Sequence, residues 1–196
     1  MSGINVIIFY SSAIFESTGG SLGANAATAL VMGVNCVAVV GATFMLNFAG
    51  RRTLMFFWTT SCAVIIIAMG IATIYKVGTV EIILTMAFVC AFEFAPGPIV
   101  WLYMGEILND KGISVAVFLN WTLTMMVGLL TPSLINAINV GPTFILFGIF
   151  NTLAAIFIFC FMKETKGLTD QEVKKLYTKD VIGEFEERLA KDKVYG

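Results

Sequence analysis

Long apolar stretches alternate along the chain with short connections that are polar or contain glycine. Six such stretches can be marked, at about residues 1–16, 25–47, 53–75, 80–104, 113–136 and 141–162. A run of about 20 apolar residues is long enough for a helix to cross the hydrocarbon core of a bilayer. The pattern therefore predicts an all-α membrane protein with six transmembrane helices.

The pattern changes at Lys163, after which charged residues become frequent. Thr169 and Glu172 have the spacing of a capping box, in which the cap residue and the residue three positions later bond reciprocally. We therefore expect two parts, a transmembrane bundle over residues 1–162 and a polar tail over residues 163–196. The tail is predicted to contain a short polar C-terminal helix that packs against the inner loops.

Composition supports the membrane class and excludes several others. Hydrophobic residues make up 58% of the chain and charged residues 13%, with a net charge of −1 and no histidine. No basic patch suggests a nucleic-acid partner, and the commonest metal ligand and general base is missing. No nucleophile–base pair, phosphate-binding glycine loop or metal-ligand cluster is visible. We therefore expect a lipid bilayer as the surroundings, and no enzyme activity, metal or cofactor.

The stretch from Phe92 to Trp101 interrupts the fourth apolar run with a charge and two prolines. A carboxylate inside a spanning helix costs roughly 2.5 to 3.5 kcal/mol on insertion scales, so Glu93 is a functional candidate. Prolines have no N–H for the carbonyls of the preceding turn, which predicts a helix break at Pro96, Gly97 and Pro98. The alternative is a structural kink with a paired or neutralised glutamate.

Basic residues indicate the orientation in the membrane. Arg51 and Arg52, the loop from Glu106 to Lys111 and the lysine-bearing tail would all lie on one side. The positive-inside rule places that side in the cytoplasm or its equivalent. A multi-pass protein with both termini on the inner face is predicted, and the identity of the membrane stays open.

Several short stretches, in this order and at this spacing, resemble the sugar porters (hexose transporters) of the major facilitator superfamily. They are Ser2-Gly3-Ile4-Asn5, Gly50-Arg51-Arg52, Glu93 to Trp101, Asn120-Trp121 and Glu164-Thr165-Lys166-Gly167. They resemble that family's seventh helix, the loop between helices eight and nine, the broken tenth helix, the eleventh helix and the tail after the twelfth. The resemblance implies one half of a major facilitator fold, the C-terminal six-helix half. It also implies a partner, either an N-terminal half-transporter or other membrane subunits.

The resemblance further implies a sugar site made by Asn5, Asn35, Glu93, Trp101 and Asn120. Amides and carboxylates suit a substrate rich in hydroxyl groups, and a flat aromatic side chain can cover the sugar ring. For Asn35 the alternative is a helix–helix hydrogen bond worth roughly 1 kcal/mol. For Trp101 the alternative is an aromatic residue at the membrane interface.

An inner salt-bridge network is implied in the same way for Arg51, Arg52, Glu106 and Glu164, which would latch the outward-open state. The alternative is a solvated cationic loop. Asn47 stands where the family has an acidic residue, so it cannot complete a charge pair with the arginines.

Transport of a hexose-type sugar by alternating access, as the C-terminal half of a transporter, is the function that the sequence indicates. The alternative is a degenerated half-transporter kept as a structural subunit of a larger membrane complex. The particular sugar and any coupling ion stay open, because the sequence offers no group that would select them.

Overall fold

A computed structural model describes residues 3–4, 6–7, 24–169, 171–173 and 176–177, and within these residues it is helical with no strand. The helices with defined bounds are α1 (Ala24–Phe48), α2 (Arg51–Ile74), α3 (Gly78–Phe94), α4 (Pro96–Ile107), α5 (Asp110–Ile138) and α6 (Val140–Phe161). The predicted all-α architecture is confirmed. The first predicted span, at about 1–16, and Asn5 with it, lie almost wholly outside the described residues.

Four stretches of the described chain are long and apolar enough to cross a membrane. They are α2, α5, α6 and the stretch Gly78–Ile107, which joins α3 to α4. α1 adds a shorter apolar part, Met32–Phe48. By length and composition, the four long stretches match four of the six predicted spans, and α1 lies at the position of a fifth.

Very short connections join successive helices. α2 and α3 are joined through Tyr75 to Val77, where Lys76 has a φ of 55°. α5 and α6 are separated only by Asn139, which has a φ of 67°. With ψ at 170°, Asn139 has a backbone conformation that is otherwise adopted almost only by glycine. The single-residue link therefore fixes where α5 ends and α6 begins.

α2 lies at the centre of the described bundle and packs mainly against α6 and α3. A Cβ added to Gly70 of α2 would lie 2.7 Å from the carbonyl oxygen of Gly141 of α6. The two backbones are thus in direct contact. Small residues permit this close approach in a membrane, where helix association depends on packing rather than on exclusion of water.

Two buried apolar clusters hold the helices together. The larger consists of Ile4, Val6, Ile7, Cys62, Ile66, Met69, Phe88, Val89, Ala91, Phe144 and Phe147. The smaller consists of Leu54, Met55, Ala95, Ile99, Ile158 and Met162, and it joins α2, α4 and α6. α1 packs on α3, whereas the main partner of α5 is α6. Most of α5 is exposed, with Thr131 as its one buried residue among those described.

Candidate substrate site

The stretch from α3 to α4 is interrupted at Ala95. α3 ends at Phe94, α4 begins at Pro96, and Ala95 between them has φ −149° and ψ −57°. Pro96 and Pro98 cannot donate to the carbonyls of the preceding turn, so the hydrogen-bond ladder has gaps here. It resumes where the N–H of Ile99 donates to the carbonyl oxygen of Ala95 at 2.9 Å. The carbonyls that lose a donor to these prolines lie beside the break. At membrane depth, such unpaired carbonyls are tolerated only where they face protein or a water-filled cavity.

Glu93 and Asn35 meet beside this break. The Asn35 side-chain amide on α1 donates to Oε1 of Glu93 on α3 at 2.8 Å, and both residues are half-buried. The other carboxylate oxygen lies 3.1 Å from the position that a Cβ on Gly97 would take. Glu93 therefore reaches from the last turn of α3 to the first turn of α4. Its charge lies near the positive end of the α4 helix dipole, which stabilises a carboxylate.

Two aromatic side chains stack on each other where α2 meets the end of α3. The rings of Trp58 on α2 and Phe94 on α3 stack with centroids 4.9 Å apart and planes 24° apart. Trp58 Nε1 is buried and has no hydrogen-bond partner among the described residues. Sequence reasoning missed both rings, although the position of Phe94 between the charge and the first proline was a visible signal.

An apolar groove of about 820 Å³ runs between α1 and α3 next to the pair. Its lining consists of Ala29, Gly33, Val34, Val37, Ala38, Cys90 and Phe94. The polar groups that could bind a hydroxyl-rich ligand therefore lie at the break and not along the groove. Within the described part of the chain, no group of His, Cys, Asp and Glu side chains could hold a metal ion.

The remaining predicted sugar ligands are not gathered at this point. Trp101 on α4 is 46% exposed, and Asn120 on α5 is also exposed. Since α5 packs mainly on α6, Asn120 lies on a different element from those that carry the pair. Asn5 lies outside the described residues. The structure thus brings together Asn35 and Glu93 from the predicted set.

The predicted inner network comes together at the ends of α2, α4 and α6. The Arg51 guanidinium forms an ion pair with Glu106, with 3.1 Å between Nη2 and Oε1. Glu164 accepts instead from the backbone N–H groups of Arg51 and Arg52, at 2.7 and 3.2 Å. The Arg52 side chain donates to the carbonyl oxygen of Phe159 at 2.6 Å. The Glu164 carboxylate therefore binds backbone N–H groups at the N-terminus of α2, whereas the two arginine side chains have other partners.

The tail continues this set of contacts. Lys166 Nζ donates to the carbonyl oxygen of Asn47 at 2.9 Å, near the C-terminus of α1, where a cation is favoured. The Tyr103 hydroxyl donates to the Lys163 carbonyl oxygen at 2.9 Å and accepts from the Tyr177 hydroxyl, 2.6 Å away. The first residues of the tail are thus bonded to α1, α2 and α4.

One half of the capping box predicted for the tail is present, with the Thr169 N–H donating to Glu172 Oε2 at 2.8 Å. The Thr169 hydroxyl donates to the same oxygen at 2.7 Å.

Glu81 was not singled out from the sequence. It is a buried carboxylate in the first turn of α3 and lies next to the Thr73 side chain. Glu81 is separate from the helix break, because it lies in the first turn of α3 and the break follows the last turn of that helix.

Comparison with known proteins gives consistent matches. Residues 1–177 match the family model described as "Sugar (and other) transporter". The chain is 30% identical over 187 residues to the facilitated trehalose transporter Tret1 of Aedes aegypti, covering 89% of this chain and 23% of the relative. It is 32% identical over 193 residues to the sugar transporter ERD6-like 6 of Arabidopsis thaliana, covering 90% of this chain and 39% of the relative.

Among solved structures, the fold is similar to that of the proton:xylose symporter XylE bound to 6-bromo-6-deoxy-D-glucose. The TM-score is 0.75 and the identity 28%, covering 89% of this chain and 39% of the symporter chain. The chain therefore spans less than two fifths of the length of each of these relatives.

Proposed function

Because this chain belongs to the sugar transporter family, whose matched relatives are transporters and not enzymes, we propose that it is the C-terminal half of a sugar carrier. It is an integral, multi-pass membrane protein. In a major facilitator fold, two halves rock against each other around a site near the middle of the membrane. This chain supplies one wall of that site, and an N-terminal half-transporter or other membrane subunit supplies the opposite wall.

The Asn35–Glu93 pair at the helix break is the observation that supports the proposal. Asn35 both donates and accepts, and Glu93 accepts with two oxygens, so together they match a ring of neighbouring hydroxyl groups. The bond that joins them at 2.8 Å holds the two polar groups until a ligand arrives. A sugar replaces that bond with bonds to its own hydroxyls, which keeps both groups satisfied in a low-dielectric setting.

Asn5, Trp101 and Asn120 complete the proposed sugar site. The exposed Trp101 and Asn120 side chains are free to face a second half, because neither is buried within the described bundle. A hexose-type monosaccharide is the proposed substrate class. The relatives named above carry trehalose and xylose in their names, so both sugars belong in the test beside glucose.

The proposed orientation follows from charge. Arg51, Arg52, Lys163 and Lys166 lie together at the ends of α1, α2, α4 and α6, on the side opposite Lys76. We assign the side with these cations to the cytoplasm or its equivalent, with both termini there and residues 163–196 forming an inner-face tail.

Binding of sugar by the full chain, purified in mild detergent from its native membrane, tests the proposal. Calorimetric titration with glucose, xylose and trehalose should show saturable binding of at least one sugar. Glu93→Gln should weaken it by about tenfold or more, equivalent to roughly 1.4 kcal/mol. Glu81→Gln is the matched control, since it alters a buried glutamate of the same helix away from the break. Absence of binding, or an equal effect of both substitutions, would favour the structural-subunit alternative.

A further inference from the structure

The ring of Phe94 lies between two other helices at the level of the break, and it also lines the apolar groove. On one side it stacks on Trp58 of α2, with 4.9 Å between centroids. On the other side it lies against Gly41 of α1, where an added Cβ would come within 2.7 Å of Phe94 Cε1. The ring therefore fits in this position only because residue 41 has no side chain. Gly105 of α4, by contrast, has no atom within 4 Å of its Cβ position.

Phe94 is also the residue on which the last turn of α3 ends. After it, the ladder lacks the two donors that Pro96 and Pro98 would have supplied, so backbone bonds restrain this turn mainly from its N-terminal side. Glu93 precedes Phe94 directly, and any rotation of the turn about the helix axis moves its carboxylate. The ring opposes a rotation towards either of these two neighbours because it would have to enter α1 or α2.

We propose that Phe94 is a positioning residue of the site. Its ring, held between Gly41 and Trp58, fixes the rotation of the last turn of α3. The Glu93 carboxylate thereby stays hydrogen-bonded to Asn35 and close to Gly97. The effect on sugar binding rests on the proposed function, since it arises because a displaced carboxylate would no longer meet the sugar hydroxyls. Phe94 itself acts through Glu93 and need not touch the sugar.

Gly41→Ala tests this with Gly105→Ala as the matched control. In Gly41→Ala the new methyl group displaces the Phe94 ring, and we expect the sugar dissociation constant to rise by about tenfold, or roughly 1.4 kcal/mol. Gly105→Ala places its methyl group in open space and should leave the dissociation constant unchanged. Phe94→Ala, which removes the ring without adding bulk, should resemble Gly41→Ala.

The double variant Gly41→Ala, Phe94→Leu gives a rescue experiment. Leucine is shorter than phenylalanine and leaves room for the added methyl group, so affinity should recover at least in part. A ring that served only in packing would change the melting temperature of these variants and leave the dissociation constant as in the wild type. That outcome would overturn the proposal.

A second measurement reports the position of Glu93 without any sugar. The rate at which a carbodiimide couples an amine to Glu93 can be followed by peptide mass spectrometry, with Glu81 as the internal reference. We expect a change of several-fold in Gly41→Ala and Phe94→Ala and none in Gly105→Ala.

The two measurements separate the possible failures. If wild-type protein binds no sugar, the proposed function fails, and the labelling rate alone decides whether Phe94 positions Glu93. An unchanged labelling rate in Gly41→Ala contradicts the positioning role. A changed rate with an unchanged dissociation constant contradicts it as well, because the placement of Glu93 would then not matter to the sugar.

Discussion

The carboxylate of Glu164 occupies the space beside Gly50 in which any other residue would carry its Cβ. From there its oxygens accept from the N–H groups of Arg51 and Arg52, which open α2. Free N–H groups and the helix dipole both favour a negative charge at this end. The tail is therefore joined to the bundle through the backbone of α2, while the Arg51 side chain remains paired with Glu106.

Gly50→Ala should lower the stability of the purified protein by about 1 kcal/mol, the usual value of a helix N-cap, because its methyl group must expel the Glu164 carboxylate. Gly105→Ala is the control, since a Cβ there meets no atom within 4 Å. It should be neutral or slightly stabilising because alanine favours helix over glycine. Thermal melting followed by circular dichroism compares the two variants. Equal melting temperatures would mean that Glu164 contributes nothing at this helix end.

The Asn35–Glu93 bond should be measurable as a coupling energy between α1 and α3. Hydrogen bonds between membrane helices average about 0.6 kcal/mol and reach about 1.7 kcal/mol in double-mutant cycles. Asn35→Ala, Glu93→Ala and the double variant should give a coupling in that range, read from denaturant unfolding in detergent. A coupling indistinguishable from zero would show that the two side chains do not meet in the folded protein.

Local chemistry explains which features could be predicted from the sequence. Apolar runs locate the helices because a spanning helix needs a minimum length, and α2 and α6 begin and end within two residues of the predicted bounds. The position of the break follows from the missing N–H groups of Pro96 and Pro98, which are a property of those residues alone.

Contacts between helices could not be predicted in the same way. The stack of Trp58 on Phe94 and the fit of Phe94 against Gly41 depend on the relative rotation of three helices, which no spacing in the chain encodes. The resemblance supplied Glu164 as a member of a salt-bridge network, but not that its partners are backbone N–H groups. Residue identity alone does not decide which atoms of a neighbour a carboxylate will bind.

Single cysteines should report the proposed orientation. Lys76 lies in the connection between α2 and α3, and Leu168 in the tail, and both are exposed. In a background without the four native cysteines, Lys76→Cys should react with a membrane-impermeant maleimide from outside the cell or organelle. Leu168→Cys should react only after permeabilisation. Labelling of both from the same side would rule out this arrangement of the helices.

Sugar uptake by the chain alone tests whether one helix bundle is enough for transport. Asn35 and Glu93 lie on helices of one bundle, and α5 presents a long exposed surface with Thr131 as its one buried residue among those described. A carrier that works by alternating access needs a second bundle to close the site from each side in turn. We therefore expect that liposomes containing only the 196-residue chain will show no saturable uptake of labelled glucose, xylose or trehalose.

The same liposomes should gain uptake when the chain is reconstituted with an N-terminal half that completes the site, and Glu93→Gln should remove that gain. Glu81→Gln serves again as the control on the same helix and should leave uptake intact. Saturable and stereospecific uptake by the chain alone would contradict the expectation. In that case two copies would have to enclose the sugar, because the Asn35–Glu93 pair of one copy covers a ligand from one side only, and cross-linking of Trp101→Cys to its counterpart would then be expected.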